Sequence, residues 1–196
     1  MFDLVYPSEP APLYPRPSVS GTLRPARPKG EIFPLVETSG LVFGQAARSW
    51  CHSSAGLLHP VVHLHILDRY SRIYLQKHGS GKENHPGLWD FAVCGHVEYG
   101  ELALETLYRE AAEQLNLRAF TPVLLENYVN EGRSDKEFVF AYAMVGHPEL
   151  HSYGREVSQG RWWPLEELDQ ALGKGGFTPT FEAEFASIRT KLFSLL

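Results

Sequence analysis

The sequence is poor in the features that mark a disulfide scaffold, a membrane protein or a nucleic-acid binder. Its 196 residues include only 2 cysteines, far apart in the chain, too few to staple a small secreted fold. No apolar run is long enough to span a bilayer and no secretory leader is legible, so a soluble, cytoplasmic protein in a reducing compartment is expected. A formal net charge of -5 gives no electrostatic reason to expect nucleic acid or an anionic membrane as partner. No internal repeat is visible. The length suits one domain of ordinary size with a sizeable core.

Proline, in contrast, is plentiful but uneven. Half of the 14 prolines precede Lys29, in PSEPAPLYPRPSVSGTLRPARPKG. A run of that composition forms neither a regular helix nor a central strand, so residues 1–30 read as an extended, flexible tail and 31–196 as the domain. EIFPLVETSGLVFGQA predicts two short strands around a turn at Thr38–Gly40, and RSWCHSSAGLLH, from Arg48 to His59, predicts a loop. VVHLHILD and RIYLQK alternate as strands, which puts His63 and His65 on one sheet face as ordinary core or surface histidines. KHGSGKENHPG is a polar loop, LWDFAVCG a strand, and VLLENYVNEGRSDKEFVFAYAMVG a hairpin turning near Gly132. GRWWPLEELDQAL predicts a strand running into a short helix with Pro164 at its first position, and Phe181–Leu196 an amphipathic helix. Strands mixed with helices on either side predict a three-layer α/β/α sandwich.

The densest chemistry lies in CGHVEYGELALETLYREAAEQLNL, from Cys94 to Leu117. Leu104, Leu107, Tyr108, Ala111 and Leu115 form an apolar stripe at helical spacing, with Thr106, Arg109, Glu110 and Glu113 on the other face. Glu110, Glu113 and Gln114 lie on neighbouring turns, and stacked carboxylates repel unless something positive sits between them. Asn116 suits a left-handed helix stop. Gly95 and Gly100 bracket a loop in which backbone can approach a ligand closely.

This segment resembles the Nudix box, G-x5-E-x7-R-E-U-x-E-E-x-G-U with U apolar, at Gly95, Glu101, Arg109, Glu110, Ala111, Glu113 and Leu117. It departs at Gln114, where the box has its last Glu, and at Asn116, where it has Gly. The resemblance implies a Nudix-type α/β/α sandwich with a mixed central sheet. It also implies that the helix carboxylates hold Mg2+ or Mn2+ against a small-molecule diphosphate, with Arg109 orienting them. Gln114 removes one anionic ligand and leaves a carbonyl oxygen in its place.

A narrower likeness, from Glu31 to Leu168, is to type I isopentenyl diphosphate isomerases, which share the Nudix fold. By that resemblance Cys94 stands where the family places a proton-transfer thiol. His52, His59 and His96, with the acidic pair Asp135 and Glu137, stand at its metal ligands, and a second, transition-metal ion is implied there. Tyr128 and Trp162 correspond to active-site aromatics, Arg48 and Lys82 to diphosphate-binding cations. Glu110, however, stands where the isomerase carries a second Arg, which restores the hydrolase pattern. The expectation is therefore a metal-dependent Nudix hydrolase acting on a small organic or nucleoside diphosphate derivative. The alternatives are an isomerase using Cys94 and Glu137 and a catalytically weak binding module.

Overall fold

The computed structural model describes residues 3–6, 30–53, 56–82, 84–132, 135–151 and 157–196. The elements in chain order are β1 (Ile32–Val36), β2 (Val42–Ala47), α1 (Arg48–Cys51), β3 (Leu58–Leu67), β4 (Arg72–His78), β5 (Trp89–Asp90), β6 (Val93–His96), α2 (Ala103–Leu115), β7 (Val123–Glu131), β8 (Lys136–Val145), β9 (Val157–Pro164), α3 (Leu165–Ala171) and α4 (Pro179–Phe193). β1 and β2 form an antiparallel pair, and the other strands a seven-stranded sheet of order β5-β4-β3-β8-β7, with β6 on β3 and β9 on β4. This is the mixed-sheet α/β architecture that the alternation of elements predicts.

Two compact units are distinguishable, Met1–Val61 with His96–Thr106 and Tyr128–Val139, and Val62–Gly95 with Leu107–Asn127 and Phe140–Leu196. The first has a small core of Phe33, Leu35, Ala46 and Cys51. The Cys51 thiol is pushed up to about 12 by burial, so it is an inert filler. The second has an aromatic core in which α4 lays Phe181, Phe185, Ile188 and Leu192 against Phe91, Trp163, Phe177 and strand β4. α4 starts where Thr178 accepts a hydrogen bond from the Phe181 amide, with proline in its first turn, so its entry is set by a local cap.

Several local expectations need correction. Arg48–His59 is not a continuous loop: its first residues make the single turn α1, and His59 is already inside β3. LWDFAVCG is interrupted into β5 and β6, because Phe91 and Ala92 turn into the core between them. Pro164 ends β9 as the residue before α3, its extended backbone standing outside the helix. In α2 the buried face runs through Ala103, Thr106, Leu107, Ala111 and Leu115, while Tyr108 is 37% exposed. Thr106 belongs inside because its hydroxyl donates to Glu101. Asn116 has a φ of 55°, the left-handed stop its side chain tolerates.

Most of the stretch read as a tail lies outside the described residues, but residues 3–6 are part of the first unit. Val5 bridges Leu41 in parallel, and Leu4 is 5% exposed.

Candidate functional site

In the first unit, three imidazoles are gathered from three elements: His52 at the C-terminal end of α1, His59 in β3 and His96 at the end of β6. One ring nitrogen from each lies within 4.8 Å of those of the other two. Phe33, fully buried, is the wall they lean on: its ring lies 4.6 Å and 2° from parallel to His96, and 5.6 Å and 14° from His59.

Their hydrogen bonds decide what the rings can do. Nδ1 of His59 faces the Leu57 carbonyl at 2.8 Å, and Nδ1 of His52 faces Asp135 at 3.0 Å. Both partners only accept, so Nδ1 carries the proton and Nε2 keeps its lone pair. Those two Nε2 atoms are buried without a hydrogen-bond partner. Burial also pushes the His59 pKa down, which keeps its lone pair available. A buried lone pair with nothing to accept is costly unless a cation or donor meets it, and clustered imidazoles fit a borderline ion of the Mn2+, Fe2+ or Zn2+ class. His96 is set differently. Arg48 approaches its Nδ1 at 3.2 Å while also pairing with Glu31 at 3.1 Å. Arginine only donates, so Arg48 must release His96 before that ring can present Nε2 to a cation.

The acidic pair divides its work. Asp135 orients His52, the usual task of a carboxylate behind a metal-binding imidazole, and Glu137 accepts from Asn130 at 3.0 Å.

In the second unit, the Glu110 carboxylate faces β6. A β-carbon on Gly95 would overlap the Glu110 side chain, so glycine is required there to let the carboxylate lie against the strand. Both Glu110 oxygens are taken: Oε1 accepts from Arg109 at 2.7 Å and Oε2 from Gln114 at 2.9 Å. Gln114 also donates to the Cys94 carbonyl at 2.8 Å. Two acceptors fix its amide nitrogen inward, so its Oε1 is the group it can offer a cation. Burial raises the Glu110 pKa against those two hydrogen bonds. The positive group that stacked carboxylates require is Arg109, whose guanidinium also lies 3.7 Å from Glu113. Glu113 itself is 62% exposed.

Cys94 is half-buried on β6 and packs against the aromatic core. It shares a hydrogen bond with His63, a ring stacked on Phe91 at 3.9 Å. His63 and His65 do leave β3 on one face, and both reach Glu184 of α4, at 2.7 and 2.5 Å. Burial opposes charge on this group, but the mutual attraction holds the His63 pKa up and the Glu184 pKa well down, a buried ion pair. Glu184 is absent from the sequence-based site. Its signal was a glutamate inside the apolar stripe Phe181, Phe185, Ile188, Leu192, where a charge has to be paired.

The remaining candidates lie on other elements. Glu101 accepts from the Thr106 hydroxyl at 2.7 Å and ties the box loop to α2. Lys82 lies in the loop after β4, where its amide donates to Gly79, and Tyr128 is half-buried on β7. Trp162 packs against Tyr74, His147 and Arg72, whereas its neighbour Trp163, on the opposite face of β9, belongs to the core that Cys94 touches.

Comparison with known proteins accords with this arrangement. The NUDIX domain family matches residues 57–181. The chain is 32% identical over 156 residues to an isopentenyl-diphosphate Delta-isomerase of Streptomyces griseus, covering 75% of this chain and 78% of that one. It is 32% identical over 87 residues to an uncharacterized Nudix hydrolase of Nostoc, covering 44% and 52%. Among solved structures, DR0079 of Deinococcus radiodurans superposes with a TM-score of 0.70 at 20% identity, over 81% of this chain and 99% of that one, a likeness of fold. With the box residues, the mixed sheet and these relatives in hand, the chain belongs to the NUDIX domain family, as an α/β/α sandwich of its isopentenyl diphosphate isomerase-like branch.

Proposed function

We propose that the chain is a divalent-metal-dependent hydrolase that cleaves the diphosphate bond of a small organic diphosphate or nucleoside diphosphate derivative. The observation that supports this most is the acidic face of α2, where Glu110 is anchored by Arg109 and Gln114 while Glu113 stays largely exposed. Glu110, Glu113 and Oε1 of Gln114 would hold Mg2+ or Mn2+, with His52, His59 and His96 holding a second ion. Such cations, when bound, neutralise diphosphate charge and acidify water. Of the chain's own groups, Glu113 and Glu137 are the candidates to take a proton from the attacking water. Arg109 keeps Glu110 in register, and Asp135 keeps His52 in the correct tautomer. Arg48, once released from His96, would neutralise phosphate together with Lys82. Tyr128 and Trp162 are the candidate aromatic contacts for the organic part.

A second reading, isomerisation of isopentenyl diphosphate, is favoured by Cys94. It lies two residues before His96 on the same strand, and curated relatives bearing that name match over 156 and 148 residues. Cys94 and Glu137 would then exchange protons with the alkene.

One assay separates the two. Purified protein is incubated with a nucleoside diphosphate panel and with isopentenyl diphosphate, in Mg2+ or Mn2+, and both phosphate release and allylic product are followed. Phosphate release lost in Glu113→Ala but kept in Cys94→Ala is expected. Allylic product that disappears in Cys94→Ala overturns hydrolysis in favour of isomerisation. Ligand-induced thermal stabilisation without either product leaves only a binding module.

A further inference from the structure

α2 begins without a cap of its own. The residue before it is Leu102, whose side chain accepts nothing, and only half of a capping box is present: Glu105 reaches back to the Leu102 amide at 2.9 Å. The missing acceptor comes from the far end of the chain. Asp3 Oδ1 receives the Ala103 amide at 3.0 Å, at a separation of 100 residues. Three residues later the Tyr6 hydroxyl donates to the Glu101 carbonyl at 2.8 Å and accepts from the Gly100 amide at 3.1 Å, with its ring edge-on to Tyr99 at 5.6 Å. Gly100 has a φ of 100°, a conformation that glycine adopts without steric penalty but does not enforce. Main-chain pairing holds the donor segment itself: Val5 donates to Gly40 at 3.1 Å and accepts from Val42 at 2.8 Å. Burial pushes the Tyr6 hydroxyl up to about 12, so it remains a protonated donor throughout the physiological range.

We infer that residues Asp3–Tyr6 form a strap that sets the box loop and the first turn of α2, so that the N-terminal segment is a positioning part of the metal-binding machinery. The inference rests on the proposed role of the α2 carboxylates. A loop that contains Glu101, and a helix that carries Glu110 and Glu113 along one continuous axis, bind a cation only in molecules where the loop and first turn are ordered. Apparent affinity falls with the ordered fraction. Asp3 and Tyr6 each add a hydrogen-bonded tie at the place where α2 would otherwise fray.

Mg2+ is the probe for this region, because it takes oxygen ligands and leaves imidazole clusters alone. Co2+ absorption reports the histidine cluster as an internal control. Full-length Asp3→Ala and Tyr6→Phe proteins should each bind Mg2+ about fivefold more weakly by calorimetry, a cap or hydrogen bond apiece, with the Co2+ spectrum unchanged. Asp3→Asn, which keeps a capping oxygen but not the charge, should restore Mg2+ binding to the wild-type value. A purely structural strap would lower the melting temperature of Asp3→Ala and Tyr6→Phe without separating Ala from Asn in Mg2+ affinity. Wild-type affinity in both Asp3→Ala and Tyr6→Phe overturns the strap while leaving the hydrolase reading intact. Wild-type protein that binds no Mg2+ overturns the hydrolase reading, and the strap's role with it. Tyr6→Phe keeps the ring against Tyr99, so it decides the matter should Asp3→Ala fail to fold.

Discussion

Two groups of histidines occupy this molecule, and they have opposite fates. His63 and His65 face one another across Glu184, whose oxygens satisfy a nitrogen of each ring from 2.7 and 2.5 Å. His52, His59 and His96 converge with one ring nitrogen of each turned toward the others, and Asp135 stands behind His52 on its Nδ1 side. The carboxylate's position is the whole difference. Between two rings it is the counter-charge that completes a packed interior; behind a ring it fixes a tautomer and leaves a lone pair for something else. A histidine pair on a strand says nothing of function until the location of the nearest acid is known.

The largest effect should come from upsetting the closed group. Glu184→Ala leaves two buried imidazoles without their counter-charge, and a loss of about 3–5 kcal/mol of stability is expected in chemical denaturation, with Co2+ binding at the open group unaffected. Co2+ affinity that falls together with stability would show that the two groups are not independent.

Next in size is the orienting acid of the open group. Asp135→Ala should weaken Co2+ binding about 10–100-fold while moving the melting temperature little, because it removes the support of His52. Equal affinity in the variant would mean that Asp135 does not set the tautomer.

A pH series sharpens the contrast further. Glu184 has a lowered pKa, so its contribution is present above about 4.5 and is lost as the pH falls through its folded value. His63 has a raised pKa, so its contribution is complete below about 6.5 and is lost as the pH rises through its folded value. The stability gap between wild type and Glu184→Ala should therefore be widest in mildly acidic solution and shrink on the alkaline side. A gap that keeps widening with pH would contradict an ion pair.

The smallest effect has a counterintuitive sign. Arg48 holds Nδ1 of His96 in the accepting state, so Arg48→Ala should strengthen Co2+ binding by about two- to fivefold, the worth of one competing hydrogen bond. Weaker binding would show that Arg48 supports the cluster.

What the sequence disclosed and withheld follows from the range of each interaction. The α2 stop at Asn116, the β1–β2 turn and the β7–β8 hairpin were legible because the residues that cause them are neighbours in the chain. The convergence of His52, His59 and His96 was legible only through family resemblance, since no spacing rule links residues on three separate elements. Glu184 and His63 are 121 residues apart, and Asp3 caps a helix 100 residues away. Nothing local betrays either, beyond a charge on an apolar stripe and a helix start without its own acceptor. The outward reading of Thr106 failed for a related reason: a hydroxyl counts as polar in a periodicity, yet here its bond to Glu101 lets it be buried.

Gly95 carries one more consequence. Because a methyl group there would occupy the volume filled by Glu110, a larger residue at 95 requires a shorter one at 110. In a combinatorial library over both, survivors bearing alanine at 95 should carry a shortened side chain at 110. The glycine of the box is then a shadow cast by the acid opposite, and its substitution tolerance gauges whether that acid is still needed.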